Sequence, residues 1–202
     1  MHRRHLLLGA TALTASFSFL FSSGAWAANA AEDFVSASIQ KGFAILNASG
    51  ASAADRRQRF AEFLLGLTDV RRVALFLIGP YAAKASAADL DDYLAAYRDY
   101  ITSVYQSYFA LYAGQSLRVM SSRERAPGDF VVSTQIAGGN NNAGLPIDFR
   151  VRTDGAQPLL LDVAVGGVWL ALAERDQFLA VLAQNNGDLK TLTAHLRSIT
   201  RA

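Results

Sequence analysis

The chain has 202 residues, of which 51% are apolar and 18% charged, values typical of a globular protein of one domain. It contains no cysteine, which excludes a disulfide scaffold, a thiol nucleophile, and a zinc or iron–sulfur site with cysteine ligands. The formal net charge of +2 is carried by the first residues of the chain.

Residues 1–27 are predicted to be a secretory signal peptide. The start, Met-His-Arg-Arg-His, is basic, residues 6–21 form a mainly apolar run of 16 residues, and Ala25-Trp26-Ala27 has the small-x-small pattern of a cleavage site. The apolar run is shorter than the ~20 residues that cross a bilayer, which argues against the alternative of an uncleaved anchor. Because Arg3 and Arg4 also resemble a twin-arginine signal, export by the Sec or the twin-arginine route is expected.

Cleavage after Ala27 would leave a single domain, residues 28–202. It removes Arg3, Arg4 and no acidic residue, so that 17 basic residues balance 17 acidic ones. A domain without basic excess is not expected to bind nucleic acid. His195 is then the only histidine, which excludes a histidine metal cluster or a catalytic pair of histidines.

Three amphipathic helices are predicted to open the domain. Apolar residues recur at steps of three and four from Val35 to Leu46, and residues 47–54 form a loop. Asp55 is predicted to cap the second helix and Asp69 the third, which ends at Gly79-Pro80.

A long helix is predicted next, from a capping box at Ser86 and Asp89 to about Tyr112. Gly114 ends it. Most of the tyrosines of the chain lie on this segment: Tyr93, Tyr97, Tyr100, Tyr105, Tyr108 and Tyr112.

The period of the pattern then changes to two, which predicts strands. The predicted strands are residues 117–121, 130–136, 147–152 and 159–165, separated by a loop at residues 138–146 and a turn at residues 153–155. Four strands joined by turns predict an antiparallel meander with one buried face.

Two further helices are predicted after the strands, broken by Asn186-Gly187, with Asp188 capping the second. The order of elements predicts an α+β fold, in which helices pack on one face of a curved four-stranded sheet.

Residues typical of catalytic or metal sites are few. His195 lies near the end of the last helix, where a surface or capping role is expected. The pair Gly166-Gly167 lacks the phosphate-loop pattern and predicts a bulge or bend after the last strand. Asp89, Asp91 and Asp92 lie at a helix start and lack the spacing of a calcium loop. No cofactor and no metal is therefore expected.

The apolar inventory is large, with 12 Phe, 7 Tyr and 2 Trp. Such residues indicate either a well-filled core or an apolar pocket held between sheet and helices. Composition alone leaves both interpretations open.

An ordered series of short motifs resembles the MlaC family, the toluene-tolerance auxiliary proteins. The resemblance extends from Phe34 to Arg197. It rests on Asp69-Val70-Arg71-Arg72-Val73-Ala74, Gly79-x-Tyr81, Tyr97-Arg98, Tyr105, Tyr112-Ala113-Gly114-Gln115, Val132-x-Thr134, Asp148-Phe149-Arg150, Leu161-Asp162-Val163, Gly166-Gly167-Val168 and Arg175-Asp176-Gln177-Phe178.

The resemblance implies a periplasmic lipid carrier with an α+β fold, whose sheet is related to the NTF2-like type and encloses an apolar cavity. It implies phospholipid as cargo, with an outer-membrane lipoprotein complex and an inner-membrane ABC transporter with an MCE subunit as partners. The related HpnM branch implies a hopanoid as the alternative cargo. An NTF2-like enzyme and an adaptor without a pocket are further alternatives.

The sequence departs from the family pattern at Trp169, where relatives usually have a small residue, at Pro158-Leu159-Leu160, which replaces a tryptophan-containing strand entry, and around Gly79-Pro80. We expect the pocket between the inner face of the sheet and the central helices, since alternation and helical spacing group its residues. Its predicted wall comprises Phe149, Val151, Val163, Val165 and Val168 from strands and Tyr97, Ile101 and Phe178 from helices. Trp169 is predicted either to pack in the interior or to narrow the pocket mouth for a flat polycyclic lipid.

Overall fold

Six helices and five strands form the described part of the fold. The structure is a computed structural model, and it describes residues 23–110, 114–138 and 143–200. The helices are α1 Ser23–Leu46, α2 Ala53–Gly66, α3 Val70–Ile78, α4 Ala87–Ala110, α5 Leu170–Gln184 and α6 Leu189–Thr200, with a short 3₁₀ helix, Gly79–Tyr81, after α3. The strands are β1 Ser116–Ala126, β2 Asp129–Ala137, β3 Pro146–Arg152, β4 Leu159–Val165 and β5 Val168–Trp169.

Two sequence predictions concern residues at or beyond the ends of the described ranges. Residues 1–22 of the predicted signal peptide lie outside the described residues, and Ala27, the predicted cleavage site, lies in the first turns of α1. The predicted end of the long helix, Tyr112, also lies outside them, and α4 is described to Ala110.

Short polar side chains begin the helices by accepting backbone hydrogen bonds that have no partner within the helix. The predicted caps at Asp69 and Ser86 are confirmed: Asp69 accepts from a backbone N–H at 2.9 Å, and Ser86 Oγ accepts from the backbone N–H of Asp89 at 3.1 Å. At α2 the predicted cap is wrong. Ser52 is the cap, and Asp55 is its capping-box partner three residues later, donating its backbone N–H to Ser52 Oγ at 3.1 Å.

The sheet has the order β1-β2-β3-β4-β5 with every neighbouring pair antiparallel, so the predicted meander is confirmed and the predicted number of four strands is wrong. Gly166 and Gly167 have φ angles of 58° and 85° and form a tight two-residue turn, not a simple bend. Two successive positive φ angles reverse the chain with the twist of a hairpin. Val168 and Trp169 therefore return beside β4, opposite Val165 and Ala164.

The hydrophobic interior is divided into two clusters. The helical cluster lies among α3, α4, α5 and α6, and its buried residues are Ala74, Leu77, Ile78, Tyr93, Ala96, Tyr97, Ile101, Phe178, Leu182, Leu189, Leu192 and Leu196. The sheet cluster lies between α1 and one face of the sheet, and its buried residues are Ala31, Val35, Phe130, Val132 and Val151. The two clusters have no buried residue in common.

The connection between α2 and α3 joins the two halves of the molecule. The backbone N–H of Leu160, in β4, donates to the carbonyl of Leu67 at 2.8 Å, and Thr68 forms a parallel bridge with the same residue. Further along β4, Asp162 Oδ1 accepts a hydrogen bond at 2.9 Å from the backbone N–H of Ala171, in the first turn of α5. Both contacts tie β4 to the helices, so β4 is the strand at which sheet and helical half meet.

Candidate functional site

The strand register groups the apolar residues of the predicted wall on one face of the sheet. Phe149 lies opposite Val163 in β4, and Ile147 lies opposite Val165. Val151 lies on the same face as Phe149, because side chains alternate along a strand. This is the face on which α1 packs, since Val151 belongs to the sheet cluster and Phe149 packs against it.

The wall residues become more exposed from one end of this face to the other. Val151 is 0% exposed and fully covered by the sheet cluster, whereas Phe149 and Val163 are half-buried. Val165 and Val168, at the turn between β4 and β5, are 38% and 57% exposed. The face therefore has a closed end beneath α1 and an open end that is confined to the β4–β5 edge, since Ile147, opposite Val165, is only 9% exposed.

The predicted helical residues lie in the other cluster. Tyr97, Ile101 and Phe178 are buried in the helical cluster, and the rings of Tyr97 and Phe178 meet edge to face with centroids 6.3 Å apart. The structure thus brings the helical residues together and the strand residues together. Among the described residues it places the two sets in separate clusters, not in one packed core.

Trp169 lies on the face opposite the wall. It is paired with Ala164, whereas Val168 is paired with Val165, and successive residues of a strand point to opposite faces. The indole is half-buried at the position just before α5. This placement agrees with an interior packing residue and puts the ring away from Val163 and Val165.

Several half-buried apolar side chains adjoin the two clusters and were not among the predicted wall residues. Phe34 and Ile39 of α1, Val119 and Leu160 pack against the sheet cluster, and Leu94, Tyr100, Val104 and Tyr105 of α4 pack against the helical cluster. Their periodicity along α1 and α4 was visible in the sequence. Which of them remain partly uncovered depends on how the helices dock.

An exposed apolar rim continues from the open end of the wall. We define this rim as Val165, Val168 and Leu172, which are all at least 38% exposed. Leu172 lies in the first turn of α5, which begins directly after β5. Large apolar side chains exposed together are typical of a binding surface or a pocket entrance.

A carboxyl group lies among the tyrosines of the helical half. Glu174 is on α5 one turn before Phe178, and its carboxylate accepts a hydrogen bond from the Tyr100 hydroxyl. Burial raises the pKa of Glu174, and burial likewise raises the pKa of Asp162 against the lowering effect of its two backbone hydrogen bonds and of Arg150. The arrangement is a hydrogen-bonded interior carboxyl, and it does not by itself supply the paired groups that acid–base catalysis uses.

His195 is exposed on α6, at the surface position that its place in the sequence predicted. The described residues contain no group of three histidine, cysteine, aspartate or glutamate side chains arranged to hold a metal ion. In the part of the chain that the structure describes, no helix combines the length and apolarity needed to cross a bilayer.

Comparisons with known proteins agree with this architecture. The family model described as MlaC protein matches residues 36–198. A solved structure of the phospholipid-binding protein from Ralstonia solanacearum, in complex with a phospholipid, superimposes with a TM-score of 0.72 at 18% identity, covering 85% of this chain and 97% of that chain. At this identity the likeness shows a shared fold. No curated protein matches the sequence significantly.

Proposed function

The chain belongs to the MlaC protein family, and from that membership we propose that it is a periplasmic lipid carrier that holds acyl chains against the inner face of its sheet. The observation that carries the proposal is the divided interior, in which a half-covered apolar sheet face ends in the exposed apolar rim. The family and the site both support a role in binding and transport over a role in catalysis.

The energetics of acyl chains suit a carrier. Burying one methylene group is worth about 0.8 kcal/mol, so two chains of ~16 carbons represent roughly 25 kcal/mol relative to water. The lipid comes from a bilayer whose interior is about as apolar as the wall. The free energy of the acyl chains in the carrier therefore only has to be close to that in the bilayer. Small differences between carrier and membrane then suffice to load and release the cargo.

Phospholipid is the cargo that we propose. The similar fold from Ralstonia solanacearum is described as a phospholipid-binding protein and holds a phospholipid, which supports the same ligand class here. A hopanoid is the alternative that the HpnM branch suggests. Trp169, the residue that favoured a flat polycyclic lipid, lies on the face opposite the proposed wall, and this position favours phospholipid.

The proposed location and partners follow from the signal peptide and the family. Export after cleavage at Ala27 would place residues 28–202 between the two membranes. The proposed partners are an outer-membrane lipoprotein complex and an inner-membrane ABC transporter with an MCE subunit. Because the sequence has no phosphate-loop motif of its own, direction would come from such partners.

The test is the lipid content of protein purified from the periplasm without detergent. Native mass spectrometry should show one phospholipid mass on the parent protein, and Val163→Trp should lose it because the indole fills the half-buried wall. Met120→Trp is the control, since it adds the same ring at a 56% exposed strand position. Val151→Trp is unsuitable, because Val151 is fully packed and overpacking there costs about 1–3 kcal/mol of folding free energy.

Circular dichroism and a thermal melt would verify that both variants fold. A folded Val163→Trp protein that retains lipid at the parental stoichiometry would contradict the proposed wall. Parent protein that carries no lipid would contradict the proposed function itself.

A further inference from the structure

An open groove lies away from the apolar rim, at the other end of β4. It has a volume of about 270 Å³ and is lined by Arg72, Arg152, Asp154, Gly155, Gln157 and Leu159. We call it the arginine groove. It forms where the first turn of α3 meets the turn between β3 and β4, so its two arginines are brought together only by the fold.

The two arginines differ in their partners. The Arg152 guanidinium is paired with Asp154 in a two-point arrangement: Nε donates to one carboxylate oxygen, and Nη2 donates to the other at 2.6 Å. The Arg72 guanidinium has no hydrogen bond or ion pair with the described residues. It is nevertheless near enough for its charge, after that of Arg152, to lower the pKa of Asp154. The groove therefore holds two positive charges against one negative charge.

The neighbouring turns hold Asp154 in place. The backbone N–H of Thr153 donates to the carbonyl of Gly128 at 2.8 Å, and a Cβ atom at Gly128 would lie only 2.7 Å from Asp154 Cβ. The turn between β1 and β2 thus packs directly against the turn that carries Asp154. Asp154 also occupies the Nε and Nη2 groups of Arg152, so this carboxylate competes with an incoming anion for that guanidinium.

Further arginines extend the positive field along the same end of the sheet. Arg150 Nη2 lies 2.7 Å from Asp129 Oδ2 in a partly buried ion pair. The hydrogen bond from Arg150, with the charges of Arg125 and Arg152, lowers the pKa of Asp129. Because Arg150 also interacts with the charge of Asp162, four arginines, namely Arg72, Arg125, Arg150 and Arg152, lie near three aspartates, Asp129, Asp154 and Asp162.

The chemistry of the groove fits a phosphate group. A guanidinium presents paired N–H donors that match phosphate oxygens, and a carboxylate beside it can accept from an ammonium group of a zwitterionic ligand. The groove is also next to the junction of the two clusters, because Leu160, the neighbour of Leu159, packs against the sheet cluster, and Val70 and Val73 of α3 pack against the helical cluster. We propose that the arginine groove binds a phosphate-bearing group, either a free phosphate ion or the phosphodiester of a lipid head group other than that of the cargo, because the cargo would enter at the apolar rim at the opposite end of β4. Neither source depends on the proposed carrier function.

The test is calorimetric titration of the mature protein with inorganic phosphate and, separately, with glycerophosphoethanolamine. Arg72→Gln removes the unpaired guanidinium and should weaken binding about tenfold, the usual size of one charge-assisted contact. Arg71→Gln is the matched control, because Arg71 is exposed on the same turn of α3 and does not line the groove. Asp154→Asn should strengthen binding of inorganic phosphate, since it removes the negative charge and releases Arg152.

The two probes distinguish the source of the phosphate. Tighter binding of glycerophosphoethanolamine supports a lipid head group, and tighter binding of inorganic phosphate supports a free ion. Absence of binding by the parent protein to both probes, or equal effects of Arg71→Gln and Arg72→Gln, would overturn the inference. A parent protein that carries no copurified phospholipid would contradict the carrier function. The phosphate titration would still show whether the groove binds phosphate.

Discussion

Glu174 shows how a single side chain can link pH to folding. Its carboxyl group is mostly buried beside Tyr100 and Tyr97, and burial raises its pKa. The folded protein then holds a proton that the unfolded chain has already lost. The contribution of Glu174 to the free energy of unfolding is therefore greatest below the ordinary glutamate pKa, and it falls as the pH rises toward the raised pKa.

We expect Glu174→Gln to increase the free energy of unfolding at pH 7 and to leave it nearly unchanged at pH 4. The amide oxygen can still accept from Tyr100 and carries no charge to desolvate. Urea unfolding of both proteins at several pH values measures the difference. Asp176→Asn, at an exposed position on the same helix, is the matched control. A difference between Glu174→Gln and the parent that does not vary with pH would contradict a titration effect.

Trp169 is the residue for which the sequence left two roles open, interior packing and the pocket mouth. Its pairing with Ala164 places the indole on the face away from Val163. We therefore expect Trp169→Ser to leave the ratio of copurified phospholipid to hopanoid unchanged, with a stability loss of about 3 kcal/mol or less for a half-buried ring. Lipid mass spectrometry of both proteins from one hopanoid-producing host gives the ratio. A rise in phospholipid relative to hopanoid would instead indicate that Trp169 lines the pocket mouth.

At the scale of elements, the turn between α5 and α6 depends on backbone conformations that few residues adopt. Gly187 has a φ angle of 77°, and its N–H donates to the carbonyl of Leu182 at 2.7 Å, closing the end of α5. A Cβ atom at this position would lie 2.7 Å from the ring of Tyr81. The turn, the 3₁₀ helix and α5 are thus packed together at one point.

Gly187→Ala should destabilise the protein by about 2–4 kcal/mol, because strain at positive φ adds to the overlap with Tyr81. Gly50→Ala is the control. Gly50 has a φ angle of 84° but open space around the site of a Cβ atom, so only the strain of about 1–2 kcal/mol applies. Urea unfolding at pH 7 compares them. Equal losses for the two variants would mean that Tyr81 moves aside without cost.

The whole molecule has an interior that its own side chains divide in two. The helical cluster and the sheet cluster each bury large apolar residues, while Phe149 and Val163 on the sheet face are only partly covered and Val165 is exposed. A ligand that binds the folded state at such a face stabilises it, by about 2.7 kcal/mol at a free concentration of 100 times Kd.

We accordingly expect delipidated protein to melt at a lower temperature than protein carrying phospholipid, with re-addition of phospholipid restoring Tm. The shift should be about 5–10 °C for a chain of this size at that degree of saturation. Differential scanning calorimetry measures it. Val163→Trp should show little response to lipid, and a Tm of the parent protein that is independent of lipid would argue against a bound cargo.

Local patterns predicted most of the elements because their causes are local. Asp69 and Ser86 cap helices through hydrogen bonds to residues within the next turn, and strand alternation placed Phe149 and Val163 on a common face. The errors were also local in origin. Ser52 and Asp55 are both good caps three residues apart, and β5 is a strand of two residues, too short to show a period.

The sequence by itself determined the class of fold, the family and the kinds of site that its residues cannot build. Only the tertiary structure decided that Tyr97 and Phe178 pack in one cluster and Val151 in another, and that Trp169 turns away from Val163. The same holds for Arg72 and Arg152, which meet in one groove from distant parts of the chain. Periodicity tells which side of a helix or strand is apolar, but the partner of that side is set by long-range docking of elements, on which spacing along the chain carries no information.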